Sequence, residues 1–417
     1  MSKPTVVLIG HGVSGKFVLK ELTQSLGKVH LIVVESKEHW ECDSLSPVFL
    51  YDDEQFEKNS APVFGKMIDG VTYINDVVAS VAPAKGGSKY TIALQSGADS
   101  IEASAVICAT GSHIPLLKPK LGETKAAHKA RFEAARTAIS GAKTIMVVGA
   151  GPVGIELAGS AAKLKSPDAK VVLVASNDTI LYDGFKASAR ASLTTFMESE
   201  GVEMSYNSKV TGPANALGDD EILTPGTYQV KQGDKTVDIQ ADVYLRSYST
   251  FNSPLAKSDK GAVVDARGKV IVDEYLQSTV YPGVFAISCS TADNIINQDT
   301  IGASAKVVAA NALAVAASAG GEGDAMVTKL TPLGAPAHTA DPWVHYRWGD
   351  YTVMNLPAPM DCVSWLCGFP FPCFCCVPGC CMPCGYSCSP AEGRGPSQAL
   401  KKMILDGESP MVTMMRS

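Results

Sequence analysis

The chain shows twice the same order of an apolar run, a glycine-rich turn and a helical pattern. The first copy, "TVVLIGHGVSGKFVLKEL", has an apolar run at residues 6–9 and a helical pattern through Leu19 and Leu22. The second copy, "KTIMVVGAGPVGIELAGSAAKL", has the same order about 140 residues later. A short apolar strand that leads directly into a helix is typical of parallel α/β sheets. The pattern therefore predicts two strand–helix–strand units.

The glycines of the first unit follow the spacing GxGxxG. Gly10 permits a tight turn, Gly12 lets the backbone approach a pyrophosphate, and Gly15 lets helix and strand pack closely. The next apolar run, "HLIVVE", ends 20 residues after Gly15 in a glutamate that can accept hydrogen bonds from ribose hydroxyls. We predict a dinucleotide site formed by Gly10, Gly12, Val13, Ser14, Gly15, Glu35 and Ser36.

The second unit repeats the spacing but lacks the terminal acid. Its next strand, "AKVVLVASND", ends at Ala175, Ser176 and Asn177 instead of at a carboxylate, and no arginine stands there for a 2′-phosphate. The pattern predicts a second dinucleotide site without distinguishing NADH from NADPH. Its residues are Gly149, Gly151, Pro152, Val153 and Gly154.

The segments between and after the two units are also patterned. Short alternating runs from residue 71 onwards predict a small meander of strands that ends at the turn of Ala109, Thr110 and Gly111. The Ala-rich stretch 303–320 contains Lys306 and is predicted to be a packed core helix, not a membrane span. "GGEGDAM" is predicted to be a hinge, and "WVHYRWGDYTVMNL" one or two strands.

Composition narrows the possible partners and compartments. The chain has 417 residues and a net charge of −6, which provides no basic face for nucleic acid. The opening "MSKPTVVLIG" runs straight into a strand, so we expect no secretory signal, and Ser2 excludes N-myristoylation. Outside the C-terminal tail, only Cys42, Cys108 and Cys289 are cysteines. This usage indicates a reducing compartment, and we expect a cytoplasmic protein.

Four motifs in this order resemble the two-dinucleotide flavoprotein reductases, which share the pyridine nucleotide–disulfide oxidoreductase fold: "VVLIGHGVSG", "ICATGSHIP", "KTIMVVGAGPVGIELAG" and "STVYPGVFAIS". The resemblance covers residues 4–320 and is closest to the apoptosis-inducing-factor-like, ferroptosis-suppressor branch. It implies an α/β fold with an FAD-binding Rossmann-like domain and an inserted NAD(P)H-binding Rossmann-like domain. The implied bounds are 1–115 and 250–320 for the FAD domain, 116–249 for the NAD(P)H domain, 321–360 for C-terminal strands and 361–417 for a Cys-rich tail.

The resemblance also implies an activity and further site residues. It places FAD at the first glycine loop, beside Ala109, Thr110 and Gly111, and NAD(P)H at the second, with electrons passing through the flavin to a quinone or similar acceptor. Glu156, in the first turn of its helix, would lie near the nicotinamide; alternatively, it is a glutamate favoured by the helix dipole. Disulfide reduction is not expected, because Cys42 lacks the CxxxxC partner of such enzymes. His39 and Trp40 would line the flavin site.

The chain departs from the family pattern at the end of "FAIS". Relatives have a Gly-Asp pair that holds FAD, whereas this chain has Ser288 and Cys289, with Asp293 as a nearby substitute. Losing such a buried hydrogen bond costs about 1–3 kcal/mol. Ser247, Tyr248 and Ser249 likewise replace a Gly-containing turn. These differences imply weakened flavin binding or altered coenzyme preference. The alternative function is a membrane-attached nucleotide-binding regulator that has weakened or lost its flavin.

The tail concentrates nine of the twelve cysteines in residues 362–388 and has no charged residue between Asp361 and Glu392. Its prolines forbid a continuous helix, so it does not span a membrane. The two CxxC pairs are too close together for a zinc ribbon, but a metallothionein-like cluster, a redox relay and an unstructured tail stay open. The favoured interpretation is an apolar segment that docks on a membrane and is S-acylated there. We assign no metal site from the sequence.

Overall fold

Strands and helices alternate along most of the chain, as the apolar runs predict. The computed structural model describes residues 3–41, 45–86, 89–181, 187–212, 225–251, 253–291, 298–318, 344–348, 351–355 and 387–388. The helices are α1 (Val13–Leu22), α2 (Ser46–Phe49), α3 (Asp53–Lys58), α4 (Lys125–Gly141), α5 (Pro152–Leu164), α6 (Ala187–Ser199) and α7 (Gln298–Ser318).

The strands fall into two parallel sheets and several small antiparallel ones. They are β1 (Thr5–Ile9), β2 (His30–Glu35), β3 (His39–Glu41), β4 (Ser60–Pro62), β5 (Val71–Asn75), β6 (Val78–Pro83), β7 (Tyr90–Leu94), β8 (Ile101–Ala103), β9 (Ala105–Cys108), β10 (Thr144–Val148), β11 (Lys170–Val174), β12 (Val202–Ser205), β13 (Ser208–Gly212), β14 (Gly226–Gln232), β15 (Lys235–Ala241), β16 (Val243–Arg246), β17 (Val284–Ala286), β18 (Val344–Trp348), β19 (Tyr351–Asn355) and β20 (Ser387–Cys388).

The first parallel sheet has the strand order β17-β9-β1-β2-β5. Alternate side chains of β1 enter different cores, since successive residues of a strand point to opposite faces. Val6 and Leu8 pack with α1 and α7, whereas Val7 and Ile9 pack with the antiparallel sheet β6–β7–β8. Both faces are thus covered, which explains why the strand sequence is an apolar run and not an alternation.

The second parallel sheet, in the order β12-β11-β10-β16, repeats this arrangement. Ile145 and Val147 face α4 and α5, and Met146 faces the antiparallel sheet β13–β14–β15 through Tyr228 and Val230. Each half therefore has helices on one face of a parallel sheet and a small antiparallel sheet on the other. This architecture confirms the predicted α/β fold with two Rossmann-like units.

The second half is inserted into the first at one place. The N–H of His113 donates to the carbonyl oxygen of Thr250, and the N–H of Thr250 donates back to His113, both at 2.8 Å. The outgoing and returning segments are therefore paired antiparallel where they cross. We call this pair the crossover bridge.

The meander is smaller than the sequence pattern indicated. The run at residues 71–75, predicted as part of it, is β5 and pairs in parallel with β2 in the main sheet. Residues 105–108, β9, pair in parallel with β1. Only β6, β7 and β8 form the antiparallel meander. Alternating patterns alone do not separate a central parallel strand from a neighbouring hairpin.

Helix α7 is a core element, as predicted. Its segment Ile301–Ser318 is the one described helix that is long and apolar enough to cross a membrane by length and composition. It nevertheless packs against α1 and the first sheet, and Ala305, Val308 and Ala312 are buried there. Small side chains let helix and sheet approach closely.

The C-terminal region is described only in part. Strands β18 and β19, in the segment predicted to form strands, pair antiparallel, and β19 pairs with β20. The predicted hinge at residues 320–326, most of the Cys-rich tail, Cys42 and Asp293 lie outside the described residues.

Candidate functional site

In the first glycine loop, two glycines are in close contact with backbone atoms and the third faces open space. Gly10 has a φ of +100°, a left-handed value that favours glycine, and a Cβ there would fall well inside 3.0 Å of the Ala109 carbonyl oxygen. A Cβ on Gly15 would collide in the same way with the carbonyl oxygen of Gly10. A Cβ on Gly12 would meet nothing within 4 Å. The turn thus leaves open space at Gly12.

Helix α1 begins at this open space. Gly12 is its N-cap and provides no side-chain cap, and its first turn, with Val13 and Ser14, contains no acidic residue. The first N–H groups of a helix have no partner within the helix, and the helix dipole makes this end positive. The loop can therefore bind a phosphate group through backbone N–H groups.

Glu35 lies beside this loop, at the carboxyl end of β2. The carboxylate is buried: Oε2 accepts a 2.7 Å hydrogen bond from the His11 N–H, and Oε1 accepts from the Lys37 N–H at 3.0 Å and the Ser36 hydroxyl at 3.3 Å. A carboxylate has about four acceptor positions, so capacity for ribose hydroxyls is left. The structure thus brings Glu35 and Ser36 next to the glycine loop.

His11 has a role that sequence reasoning missed. Its buried ring places Nδ1 3.0 Å from the Val63 carbonyl oxygen, which can only accept, so Nδ1 carries the proton. Burial lowers the pKa of His11 first, and the nearby Lys16 lowers it further. A neutral ring therefore fastens the middle of the loop to the segment after β4. In the sequence, His11 is only a variable position of the GxGxxG spacing, and no other signal identifies it.

A second missed residue, Ser290, joins two predicted parts of the FAD site. Its buried hydroxyl accepts a 3.0 Å hydrogen bond from the Gly111 N–H and lies 3.2 Å from the Thr110 hydroxyl. Ser290 ends the short 3₁₀ turn that contains Ser288 and Cys289. The turn after β17 is thereby held against the turn after β9, where Ala109 is buried. The predicted residues of both turns thus come together through Ser290.

Ser288 has a left-handed backbone conformation of the kind that favours glycine. Its φ is +59°, and its carbonyl oxygen accepts from the Thr291 N–H at 3.0 Å and the Thr291 hydroxyl at 2.8 Å. A left-handed conformation costs an L-residue about 1–2 kcal/mol. The turn is therefore kept despite the replacement, at the expense of backbone strain.

We expect the substitution Ser288→Gly to stabilise the protein by about 1 kcal/mol, because glycine has no Cβ penalty at this φ. The measurement is the free energy of unfolding in denaturant, together with FAD affinity. Ser290→Gly is the matched control: it removes the hydroxyl that holds Gly111 and should destabilise by about 1 kcal/mol. Equal effects of the two substitutions would contradict the assignment of strain to Ser288.

Cys108 is the last residue of β9, next to the first glycine loop, and is fully buried. Burial raises the pKa of the Cys108 thiol to about 12. Because the thiolate is the nucleophile, Cys108 should react with iodoacetamide about a thousandfold more slowly than an ordinary thiol in the folded protein. Peptide mapping after labelling with and without denaturant measures this. Rapid native labelling of Cys108 would show that β9 opens locally.

The second glycine loop has the same geometry as the first. Gly149 has a φ of +102°, and its N–H donates to the Val174 carbonyl oxygen at 3.0 Å. A Cβ on Gly154 would collide with the Gly149 carbonyl oxygen, whereas a Cβ on Gly151 would meet nothing within 4 Å. Gly151 caps α5 without a side-chain hydrogen bond. Pro152 and Val153 begin the helix, where a missing proline N–H costs nothing.

At the end of β11, beside the second glycine loop, the usual acidic residue is absent. Ala175 is buried, and its backbone bonds with Ser205 and Ser208. The next two residues, Ser176 and Asn177, are exposed. Only a hydroxyl and an amide are therefore offered where a carboxylate is usual. These residues do not distinguish NADH from NADPH.

Ser247 has a structural role in the second loop. Its buried hydroxyl donates to the carbonyl oxygens of Val148 at 2.8 Å and Gly149 at 3.0 Å. The same hydroxyl lies where a Cβ on Gly149 or Gly154 would be. Ser247, which replaces the expected glycine turn, thus fixes the second glycine loop.

The prediction that Glu156 lies in the first turn of its helix is wrong. Helix α5 begins at Pro152, so Glu156 is its fifth residue, and the first turn has no acidic residue. The effect of the helix dipole fades beyond the first turn. The alternative explanation of Glu156 through the dipole is correspondingly weakened. The side chain is half-buried.

Trp40 and Lys16 form a contact next to the first loop. The Lys16 Nζ lies 4.5 Å from the centre of the buried Trp40 ring. Partial burial lowers the pKa of Lys16 to about 8, and the charge of Lys37 contributes in the same direction. His39, expected to line the site with Trp40, is instead buried against Glu41.

The two loops fit two dinucleotides. In each, two glycines close the turn against backbone atoms and the middle glycine faces open space at an uncapped helix N-terminus. Pyrophosphate needs this close approach to backbone N–H groups. The first loop adds a buried carboxylate for ribose, and the second does not.

The sequence profile of the pyridine nucleotide-disulphide oxidoreductases matches residues 4–299, a range that contains both loops. Proteins of this family are FAD- and NAD(P)H-dependent oxidoreductases. Among curated proteins, the oxidoreductase ptaL of Pestalotiopsis fici is 32% identical over 150 residues, which cover 36% of this chain and 37% of that protein. The oxidoreductase phnG of Penicillium herquei is 24% identical, over 60% of this chain and 66% of that protein. The match thus spans about a third to two-thirds of these relatives.

Solved structures share the fold. The sulfide:quinone oxidoreductase of Aquifex aeolicus superposes with a TM-score of 0.63 at 14% identity, covering 84% of this chain and 83% of that one. The water-forming NADH oxidase of Lactobacillus brevis, bound to NADH, gives a TM-score of 0.55 at 18% identity, with coverage of 84% and 75%.

Proposed function

Because the chain belongs to the pyridine nucleotide-disulphide oxidoreductase family, we propose that it is a flavin-dependent NAD(P)H oxidoreductase. It passes electrons to a quinone or similar acceptor at a membrane surface. The observation that supports this most directly is the pair of glycine loops. Each follows the carboxyl end of the central strand of its own parallel sheet, which is where such sheets bind dinucleotides.

The residues of the first loop hold and orient FAD. The N–H groups at Val13 and Ser14 bind its pyrophosphate, and Glu35, fixed by the His11 N–H, binds ribose. The turn of Thr110 and Gly111 flanks it, fixed by a serine hydroxyl. Bound flavin accepts two electrons from a nicotinamide and releases them one or two at a time.

The residues of the second loop bind NAD(P)H. Gly151 lets the pyrophosphate approach the first turn of α5, and the Ser247 hydroxyl holds the loop in shape. Glu156, one turn further, is proposed to contact the reacting end of the coenzyme. The exposed pair Ser176 and Asn177 contacts the ribose without selecting strongly for or against a 2′-phosphate.

The nature of the acceptor rests on two observations. First, the sequence offers no CxxxxC pair near the flavin loop, so disulfide substrates lack a relay. Second, the apolar Cys-rich tail is suited to a membrane surface, where quinones dissolve. The structurally similar protein of Aquifex aeolicus is a sulfide:quinone oxidoreductase. We place the chain in the apoptosis-inducing-factor-like, ferroptosis-suppressor branch on its ordered motifs.

The decisive experiment is the visible spectrum of the full-length protein before and after anaerobic NADH, then NADPH. We expect flavin bands that bleach with at least one coenzyme and return when a soluble quinone is added. A protein that neither retains nor reconstitutes FAD would refute the reductase. If the flavin bands bleach but quinones do not restore them, only the proposal of a quinone acceptor is refuted.

A second function is favoured by one observation. The strained Ser288 and the adjacent Cys289 stand where relatives have the pair that holds FAD. A chain with this change could be a membrane-attached nucleotide-binding regulator. In that case NAD(P)H would bind and shift the thermal unfolding midpoint, while added FAD would not.

Membrane attachment is tested separately. We propose that cysteines of residues 362–388 are S-acylated and that the protein is cytoplasmic, on a membrane. Hydroxylamine cleaves thioesters, so it should release the protein from membranes isolated from its host. Retention after hydroxylamine, or release only by a metal chelator, would favour a metal-binding tail instead.

A further inference from the structure

A cluster of three buried ionisable side chains lies outside the glycine loops. His39 and Glu41 come from β3 and alternate with Trp40, so they share one face of that strand. His128 comes from α4, 87 residues further along the chain from Glu41. All three residues are at most 1% exposed. Nothing in the proposed reaction uses them.

The atoms of the cluster converge on one carboxylate oxygen. Glu41 Oε2 lies 3.3 Å from His39 Nε2 and 3.1 Å from His128 Nδ1. The three ligand atoms all lie within 4.8 Å of one another. Two ligands of a tetrahedral Zn²⁺ ion with bonds of about 2.0–2.1 Å are about 3.3 Å apart. The two separations from Glu41 Oε2 match this value, and the two histidine nitrogens lie within 4.8 Å of each other.

The hydrogen bond from His128 to Leu116 indicates that positive charge, either a bound cation or a second proton on the ring, lies next to the Glu41 carboxylate. His128 Nε2 is 3.0 Å from the Leu116 carbonyl oxygen, which only accepts, so Nε2 carries a proton. In a neutral imidazole, Nδ1 then presents a lone pair to the carboxylate. Two lone pairs 3.1 Å apart repel each other. A bound cation or a second proton on His128 relieves this.

His39 Nε2 is hydrogen-bonded to Glu41, whereas the geometry at His128 Nδ1 is better suited to a shared ligand than to a direct hydrogen bond. His128 Nδ1 is buried and, although near Oε2, makes no aligned hydrogen bond among the described residues. Glu41 Oε1 and His39 Nδ1 are also buried and have no hydrogen-bond partner in this part of the chain. Unpaired buried polar atoms are costly, so such a group needs a ligand.

The surroundings resemble those of a structural metal site. The bond from His128 Nε2 to a backbone carbonyl is the usual support of a metal-bound histidine. Phe56 and Phe132 cover the histidines, with ring centres 6.0 and 4.6 Å from that of His128. The second oxygen of Glu41 is available as a fourth ligand. Nitrogen and oxygen donors of this kind suit Zn²⁺.

We propose that His39, Glu41 and His128 form a Zn²⁺ site that fastens β3 to α4. The ion would link the segment after the FAD-binding acid to the helix that leads into the second sheet. Its role is structural, because the ligands are closed to solvent. The proposal does not rest on flavin or coenzyme binding.

The experiment must separate this site from the tail thiols. A full-length variant with every cysteine of residues 362–388 replaced by serine is expressed with Zn²⁺ and analysed for metal content. We expect about one equivalent per chain. Adding His39→Gln or His128→Gln should lower the content at least tenfold, whereas His30→Gln, an exposed histidine bonded to Thr72, should leave it unchanged.

Two further measurements remain decisive if the glutamine variants misfold. Co²⁺ loaded into the serine-tail protein during refolding should give visible d–d bands without thiolate charge-transfer absorption. A strong chelator should lower the thermal unfolding midpoint of the same protein, and Zn²⁺ should restore it. Metal content below one-tenth equivalent after refolding with Zn²⁺ would overturn the proposal. The cluster would then be a buried imidazolium–carboxylate pair without a metal ion.

Discussion

Replacing Gly10 by alanine should abolish FAD binding and lower the free energy of unfolding by at least about 3 kcal/mol. Two independent costs act at this position. The left-handed φ of +100° disfavours any L-residue, and the new Cβ would collide with the carbonyl oxygen of Ala109. That carbonyl belongs to backbone held against β1, because the Ala109 N–H donates to the Ile9 carbonyl oxygen. The collision therefore cannot be relieved by moving a flexible side chain.

Gly12→Ala is the matched control. It lies two residues away in the same loop, but its Cβ would meet nothing within 4 Å, and its φ of −72° is ordinary. We expect this variant to be nearly as stable as the unmodified protein while binding FAD more weakly. Denaturant unfolding and flavin absorbance are measured on both variants. If Gly10→Ala folds and binds flavin normally, the assignment of the first loop to FAD fails.

Replacing Gly151 by valine should leave the flavin spectrum unchanged and lower the rate of flavin reduction by NAD(P)H at least a hundredfold. The position has ordinary backbone angles, with φ of −76° and ψ of −175°, and open space around a new Cβ. The fold therefore tolerates the side chain. The same open space is where the pyrophosphate must approach the N–H groups of α5, so the added methyl groups exclude the coenzyme.

Gly141→Val provides the control for this variant. It also lies in open space without a left-handed φ, at the end of α4 and away from both loops. Stopped-flow reduction of the bound flavin by each coenzyme distinguishes the two variants. Unchanged kinetics in Gly151→Val would show that the coenzyme binds elsewhere. An equal loss in both variants would indicate a general effect of destabilisation.

The glycine framework could be predicted from sequence because it is local. Gly10 and Gly15 touch within one turn, and their spacing encodes the collision that the structure shows. Ser290 could not be found in this way. It meets Gly111 only after β17 and β9 have paired, and a serine directly after the expected Gly-Asp pair carries no pattern of its own.

The His39–Glu41–His128 cluster illustrates the same limit over a longer distance. "HWE" and the histidine of α4 have no shared spacing, and His39 was expected to line the flavin site together with Trp40. Their contact depends on how α4 packs over the loops after β3, where Phe56 and Phe132 meet. The wrong placement of Glu156 has a simpler cause: the helix start at Pro152 was not fixed by the glycine spacing alone.

The crossover bridge has a consequence for protein engineering and for gene rearrangement. Since His113 and Thr250 are hydrogen-bonded to each other, the whole coenzyme-binding half enters and leaves at one point. Paired strands hold facing residues about 5 Å apart, so a linker of a few residues could rejoin the chain after excision of that half. The half also packs on α2, β18 and β19, so an exchanged cassette must keep these contact surfaces. Grafting a cassette with a different nicotinamide preference would alter the electron donor while the flavin-binding sheet stayed intact.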